Sequence, residues 1–164
     1  RDFIEDHVGD PRLPQVPATG PQIEALITDL RAAGARVALD SSGAGLASLI
    51  GSADLVKVNR HEASELLGAD VTAVEACALL RERHGVDAVV TDGTAGGAAL
   101  VGGVSAVIPP PARRGAFPAG SGDAFLGALL TSVDGPLDEA LAVASDAAVR
   151  NALVPGQGIL SSRA

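Results

Sequence analysis

The sequence has few of the residues on which several common kinds of functional site depend. Cys77 is its only cysteine, which excludes an internal disulfide and a cysteine-rich zinc site. Lys57 is its only lysine and follows Val56, whereas the phosphate loop of the P-loop NTPases requires glycine directly before its lysine. That class of protein is therefore excluded. Aromatic residues make up only 2% of the chain, so the core must be built from Ala, Val, Leu and Ile.

Net charge and hydropathy indicate which binding partners the protein lacks. The formal net charge of −8 argues against nucleic acid, because a phosphate backbone requires a cationic protein face. No apolar run is long enough to span a bilayer, and no segment resembles a signal peptide, so we expect a cytoplasmic protein without a membrane partner. Methionine is absent, from which we expect a chain that is processed or incomplete at its front. A length of 164 residues suits a single domain, residues 1–164.

Helical and strand patterns alternate along the chain, apart from a Pro-rich segment, 1–20, to which we assign no element. The glycines at 102 and 103 indicate a two-residue hairpin turn. This order predicts a three-layer α/β/α domain with a mostly parallel sheet and a late β-hairpin. Ligands of such sheets bind beyond the carboxyl ends of the strands. The predicted helices are 21–33, 44–50, 60–67, 72–83, 124–132 and 137–151, and the predicted strands are 36–40, 54–58, 86–91, 97–101 and 104–108.

The motif Gly-Ser-Gly-Asp at residues 120–123, here called the glycine loop, opens a predicted helix. The backbone N–H groups of Gly120, Ser121 and Gly122 are not shielded by bulky side chains, and together with the positive helix end they suit a phosphate. Asp123 would then lie beside the anion, where a carboxylate can accept a proton during phosphoryl transfer. The alternative is that Asp123 only caps the helix. A dinucleotide-binding fingerprint is excluded because position 125 is Phe rather than Gly.

Two further segments follow predicted strands. Asn59 and Glu62 are three residues apart at the start of a helix, where an amide and a carboxylate could hold a hydrated Mg²⁺. The alternative is a capping box, in which the same two side chains bond to the helix N-terminus. Residues 91–97 contain three glycines, which would allow the backbone to approach a nucleotide; a plain connection between strands is the alternative.

The order of these motifs resembles the ribokinase/PfkB family of carbohydrate kinases. Asn59 with Glu62 comes first, Thr91 with Gly93 follows, and the glycine loop opens a late helix. Residues 39–43, 56–68 and 151–158 resemble most the branch that contains 1-phosphofructokinase and tagatose-6-phosphate kinase. The family usually has Asn or Asp with Thr or Pro just before the glycine loop. This chain has Ala116 and Phe117 there, so no polar or cation-binding role is carried over to them.

The resemblance implies a kinase that uses ATP and Mg²⁺ to phosphorylate a sugar hydroxyl, with a phosphorylated ketohexose as the expected substrate. Asp123 would be the base, and the N–H groups of Gly120, Ser121 and Gly122 would bind the phosphoryl group. Asn59 and Glu62 would order Mg²⁺. The expected nucleotide contacts are Thr91, Asp92, Gly93, Thr94, Ala95, Gly96 and Asn151.

The resemblance covers residues from about 21 to 160, and the family's sugar-binding and lid half has no counterpart in this sequence. Two alternatives stay open: a degenerate homologue that binds nucleotide without turnover, and a kinase of the same fold that acts on a nucleoside or another small alcohol. A homodimer is compatible with the resemblance.

Overall fold

The structure is a computed structural model that describes residues 20–156, 158 and 160. Residues 1–19 of the Pro-rich front segment lie outside these residues, as does Gln157, whereas Gly20 already belongs to the first helix. Every predicted element is present, with ends shifted by a few residues. In chain order the elements are α1 (Gly20–Ala32), β1 (Ala38–Asp40), α2 (Gly43–Leu49), β2 (Leu55–Asn59), α3 (Arg60–Leu67), α4 (Ala73–His84), β3 (Asp87–Thr91), β4 (Gly97–Val101), β5 (Val104–Ile108), α5 (Ser121–Leu130) and α6 (Leu137–Ala152).

The five strands form one sheet in the order β1-β2-β3-β4-β5. Strands β1, β2 and β3 pair in parallel, while β4 and β5 add antiparallel partners at one edge. The β4–β5 hairpin turns through Gly102 and Gly103, whose φ angles of 58° and 83° are those of a primed turn. The predicted late hairpin and the mixed α/β class are thus confirmed.

Alternation along the strands divides the interior into two cores, one on each face of the sheet. Val56 and Val58 of β2 face α2, α3 and α4, while Leu55 faces α5 and α6. Val89 of β3 lies on the α5–α6 side and is fully buried. The predicted three layers follow from this division, because each face carries its own apolar cluster of small aliphatic side chains.

Two capping boxes start consecutive helices on the first of these faces. Asn59 and Glu62 form the box of α3, and Thr72 and Glu75 form that of α4, the latter as predicted. The hydrogen bonds from Thr72 lower the pKa of Glu75. The start of α5 differs from prediction: it begins at Ser121 rather than at residue 124, so the predicted start was wrong by three residues. In the described part of the chain, no helix combines the length and hydropathy needed to cross a bilayer.

Candidate active site

The glycine loop forms the start of α5. Gly120 is the N-cap in the left-handed conformation, with φ 78°, and no side chain caps the helix. Ser121 donates its N–H to the carbonyl of Pro118 at 3.1 Å, so the turn itself uses the N–H that we had assigned to phosphate. Within the described residues, the N–H groups of Gly120, Gly122 and Asp123 have no acceptor. The N-terminus of α5 therefore presents three free donors, with Asp123 replacing Ser121 in the expected set.

The Asp123 side chain lies in the first turn of α5 and is exposed. It forms neither a hydrogen bond nor an ion pair with any residue that the structure describes. The alternative in which Asp123 caps the helix is thus not what the structure shows, since the N-cap is Gly120. Its carboxylate is free to interact with a ligand.

Lys57 is the functional candidate that sequence reasoning missed. It lies on β2 two residues before Asn59, and alternation places it on the α5–α6 face with Leu55. Its residue is only 7% exposed, and its Nζ lies 2.8 Å from Oδ2 of Asp40. A Cβ built on Gly122 would lie 2.7 Å from this Nζ. The ammonium is therefore held directly against the glycine loop, where it adds to the positive end of α5.

The Asn59 and Glu62 side chains form both bonds of the capping box. Asn59 Oδ1 accepts from the N–H of Glu62 at 2.9 Å, and Glu62 Oε2 accepts from the N–H of Asn59 at 2.8 Å. Oε1 of Glu62 has no hydrogen-bond donor in the described residues, so it is left for a water molecule of a hydrated cation. No three His, Cys, Asp or Glu side chains of those residues gather around a common point. The structure thus shows the capping box that was the alternative for this pair, and any metal held by it would have to keep most of its waters, as Mg²⁺ does.

Arg60 connects the start of α3 to the segment after β3. Its Nε lies 3.1 Å from Asp92 Oδ2, and its Nη1 lies 3.0 Å from Asp70 Oδ1. The hydrogen bond to Asp92 is the main cause that raises the pKa of Arg60 above its ordinary value. Asp92 is therefore the counterion of Arg60. This ion pair holds the segment after β3 next to the start of α3, where Asn59 and Glu62 lie.

A cavity of about 300 Å³ lies beside the glycine loop. Its walls come from the segment after β3, the Pro-rich connection after β5, the start of α5 and one side of α6. They are mostly apolar, which suits the flat face of a nucleobase. The lining residues are Thr91, Gly93, Thr94, Gly96, Ile108, Pro109, Pro111, Arg113, Arg114, Gly115, Pro118, Ser121, Gly122, Phe125, Ser145, Ala148, Val149 and Ala152.

Comparison with known proteins assigns the chain to a family. Residues 15–162 match the pfkB family carbohydrate kinases. The chain belongs to this family. Over 116 residues it is 40% identical to a 1-phosphofructokinase of Rhodobacter capsulatus, a match that covers 66% of this chain and 36% of that protein. A stretch of 26 residues is 81% identical to a 4-hydroxy-tetrahydrodipicolinate synthase of Mycolicibacterium paratuberculosis, but it covers only 16% of this chain and 9% of that protein and shows no shared family.

Solved structures of the PfkB and ribokinase type share the fold of this chain. Phosphofructokinase-2 of Escherichia coli, in a structure with potassium, superposes with a TM-score of 0.78 at 23% identity over 88% of this chain and 50% of that one. A ribokinase of Thermotoga maritima superposes with a TM-score of 0.59 at 20% identity, over 68% and 40% of the two chains. This PfkB-family chain thus spans half or less of the length of these relatives.

Of the nucleotide contacts predicted for this PfkB-family chain, Thr91, Gly93, Thr94 and Gly96 line the cavity, whereas Asp92, Ala95 and Asn151 do not. Gly96 has φ 93°, and a Cβ there would lie 2.1 Å from the carbonyl oxygen of Ile108. Only glycine therefore allows the cavity wall to pass this close to the end of β5.

Asn151 lies behind the glycine loop, fully buried at the end of α6. Its Nδ2 donates to the carbonyl of Ala119 at 2.7 Å and to Oγ of Ser121 at 3.1 Å, and its Oδ1 accepts from the N–H of Gly158 at 2.8 Å. One amide thus joins three chain segments, and the resemblance to the family did not indicate this arrangement.

Proposed function

We propose that this chain is the nucleotide-binding and catalytic part of a kinase that transfers the γ-phosphoryl group of ATP to a sugar hydroxyl, on a phosphorylated ketohexose. One observation carries the proposal: the unengaged carboxylate of Asp123 lies in the first turn of α5, at the same helix end as the free N–H donors and as Gly122, which the Lys57 ammonium approaches. The 40% identity to a 1-phosphofructokinase supports the choice of substrate class. The expected homodimer and cytoplasmic location belong to the same proposal.

The donors at the glycine loop would act on the phosphoryl group during transfer. Phosphoryl transfer needs positioning and charge stabilisation more than covalent chemistry, because its transition state is loose. The N–H groups of Gly120, Gly122 and Asp123 point outward from the positive end of α5, and Lys57 adds a full charge beside them. The apolar cavity next to the loop would hold the adenine, so that the phosphates reach the helix end.

Asp123 would accept the proton of the attacking hydroxyl. A carboxylate is a weak base at neutral pH, but it gains effect by proximity when the proton leaves late in a loose transition state. No described side chain competes for this carboxylate, so a bound hydroxyl can donate to it directly.

Asn59 and Glu62 would bind water molecules around Mg²⁺. When bound, the ion neutralises charge on the phosphate oxygens. Two features support this placement. Oε1 of Glu62 is unused, and the pair lies at the carboxyl end of β2, the strand that also carries Lys57.

An ADP-release assay on the natural polypeptide tests the proposal. Fructose 1-phosphate, fructose 6-phosphate, tagatose 6-phosphate and adenosine are offered as acceptors, with the parent and Asp123→Asn. We expect turnover on a ketohexose phosphate, and in the variant a loss in kcat of about 10²–10⁴-fold with AMP-PNP binding retained.

The matched control is Asp138→Asn, which removes an exposed aspartate from the first turn of α6 outside the cavity. A kcat for Asp123→Asn within a few-fold of the control would refute the role of Asp123. Nucleotide binding without turnover on any acceptor would favour the degenerate homologue, and turnover on adenosine alone would favour the nucleoside kinase.

A further inference from the structure

The Ser121 hydroxyl is the polar group at the glycine loop that the proposed chemistry leaves unused. Ser121 lines the cavity together with Gly122, and its side chain is half-buried. Its N–H already donates to Pro118, so the hydroxyl is the donor that the residue still has to offer.

Asn151 constrains the direction of that hydroxyl. The Nδ2 group of Asn151 can only donate, so in their 3.1 Å hydrogen bond Ser121 Oγ is the acceptor. A serine hydroxyl has one proton to donate, and that proton must point away from the donor that Oγ has accepted. Among the residues that the structure describes, none accepts it. The hydroxyl proton is therefore left for a group in the cavity.

The position of Asn151 makes this arrangement stiff. The amide is 0% exposed and is also bonded to Ala119 and Gly158, so it cannot rotate without breaking two other bonds. A buried amide held by three hydrogen bonds therefore donates to Ser121 Oγ from a fixed direction in the protein without ligand.

We propose that the Ser121 hydroxyl is an additional hydrogen-bond donor to a phosphate oxygen of the bound nucleotide, and that Asn151 is the positioning residue that directs it. The inference rests on the proposed function, since it assumes a nucleoside triphosphate in this cavity. It adds a side-chain donor to the backbone donors of Gly120, Gly122 and Asp123.

Titration with AMP-PNP, ADP and adenosine tests this donor. A hydrogen bond to a charged phosphate is stronger than one between neutral groups. We expect Ser121→Ala to weaken AMP-PNP binding about tenfold while adenosine binding stays unchanged. Ser121→Thr keeps the hydroxyl and is expected to bind AMP-PNP like the parent. Ser132→Ala removes a hydroxyl just beyond the other end of α5 and serves as the matched control.

The role of Asn151 is tested by a double-mutant cycle. If Asn151 acts through the hydroxyl, Asn151→Ala costs less AMP-PNP affinity in the Ser121→Ala background than in the parent. If Asn151 is merely structural, Asn151→Ala lowers AMP-PNP affinity equally in the parent and in the Ser121→Ala background. Melting curves of all four proteins check that they are folded. If the Asn151 variants do not fold, the Ser121→Ala and Ser121→Thr pair still decides the matter for the hydroxyl.

Two results of the titrations would overturn the hydroxyl contact, and they differ in what else they affect. A parent that binds AMP-PNP and a Ser121→Ala variant that binds it equally well would refute the hydroxyl contact and leave the kinase proposal intact. A parent that binds neither AMP-PNP nor ADP would refute both.

Discussion

Asp40 and Lys57 are direct neighbours across the parallel strands β1 and β2, and their side chains form an ion pair of 2.8 Å. The same ammonium lies against Gly122 of the glycine loop. Two positive features, the lysine and the helix end, therefore meet in one place, with Asp40 as the compensating charge. The ion pair with Asp40 explains how a nearly buried lysine is tolerated in the free protein, and an incoming phosphate would add a second anion to the arrangement.

Asp40→Asn should destabilise the free protein, because it leaves the Lys57 ammonium without its counterion. We expect the free energy of unfolding to fall by roughly 1–3 kcal/mol, and AMP-PNP to raise the melting temperature of the variant more than that of the parent. Urea denaturation and thermal melts measure both. Asp134→Asn, which breaks an exposed ion pair with Arg36, is the control and should change little. Equal stability of Asp40→Asn and the control would contradict this account of the pair.

Gly122→Ala should separate binding from stability. The new Cβ would lie 2.7 Å from Lys57 Nζ, so the flexible end of the lysine must move away from the loop. The helix itself gains up to about 1 kcal/mol from the replacement of glycine. We therefore expect weaker AMP-PNP binding in a protein that still folds, because the gain in the helix offsets part of any loss at the Lys57–Asp40 pair. Gly127→Ala is the control on the same helix, since a Cβ there meets no atom within 4 Å. Unchanged AMP-PNP affinity in Gly122→Ala would show that Lys57 does not contact the nucleotide.

Glu62→Gln should raise the Mg²⁺ concentration needed for half-maximal activity. Glutamine also serves in a capping box, so the fold should be retained, while the charge offered to a hydrated cation is lost. Glu75→Gln makes the same change in the equivalent box of α4 and should leave the Mg²⁺ titration as it is in the parent. If the Mg²⁺ titrations of Glu62→Gln and Glu75→Gln coincide, Glu62 acts only as a helix cap.

Cys77 should remain unreactive in the folded protein. Burial raises the pKa of its thiol from 9.0 to about 11, so the folded state favours the protonated form. The resulting stabilisation is fully present below pH 9 and is lost as the pH rises towards 11. We expect no labelling by a thiol reagent at pH 8 without denaturant, and a decline in stability between pH 9 and 11 that is smaller in Cys77→Ala. Rapid labelling of the native protein at pH 8 would contradict this.

The fold was largely predictable because its signals are local. The Thr72–Glu75 capping box, the glycines that end α3 and α4, and the Gly102–Gly103 turn each have a steric or hydrogen-bonding cause within a few residues. The start of α5 was misplaced because Gly120 serves as the N-cap in a left-handed conformation, which the sequence pattern does not predict.

The candidate site was less predictable because it depends on contacts between distant segments. Lys57 comes to the glycine loop only through its face on β2 and the packing of α5 against that face. Asn151 reaches the back of the same loop across 30 residues of sequence. Motif spacing identified the loop and Asp123, but it contains no information on which buried side chains surround them.

Because the interior is divided into two cores, the two faces of the sheet are expected to unfold locally at different free energies. The core under α2, α3 and α4 draws on residues 46–98, a continuous stretch, whereas the core under α5 and α6 joins Leu55 to side chains as far along as Ala144. Contacts between segments so far apart in sequence close late during folding. We expect amide protons of α5 and α6 to exchange with solvent through a partial opening that leaves α4 protected. Because that opening would dismantle the glycine loop, AMP-PNP should slow exchange in α5 and α6 while leaving α4 unaffected.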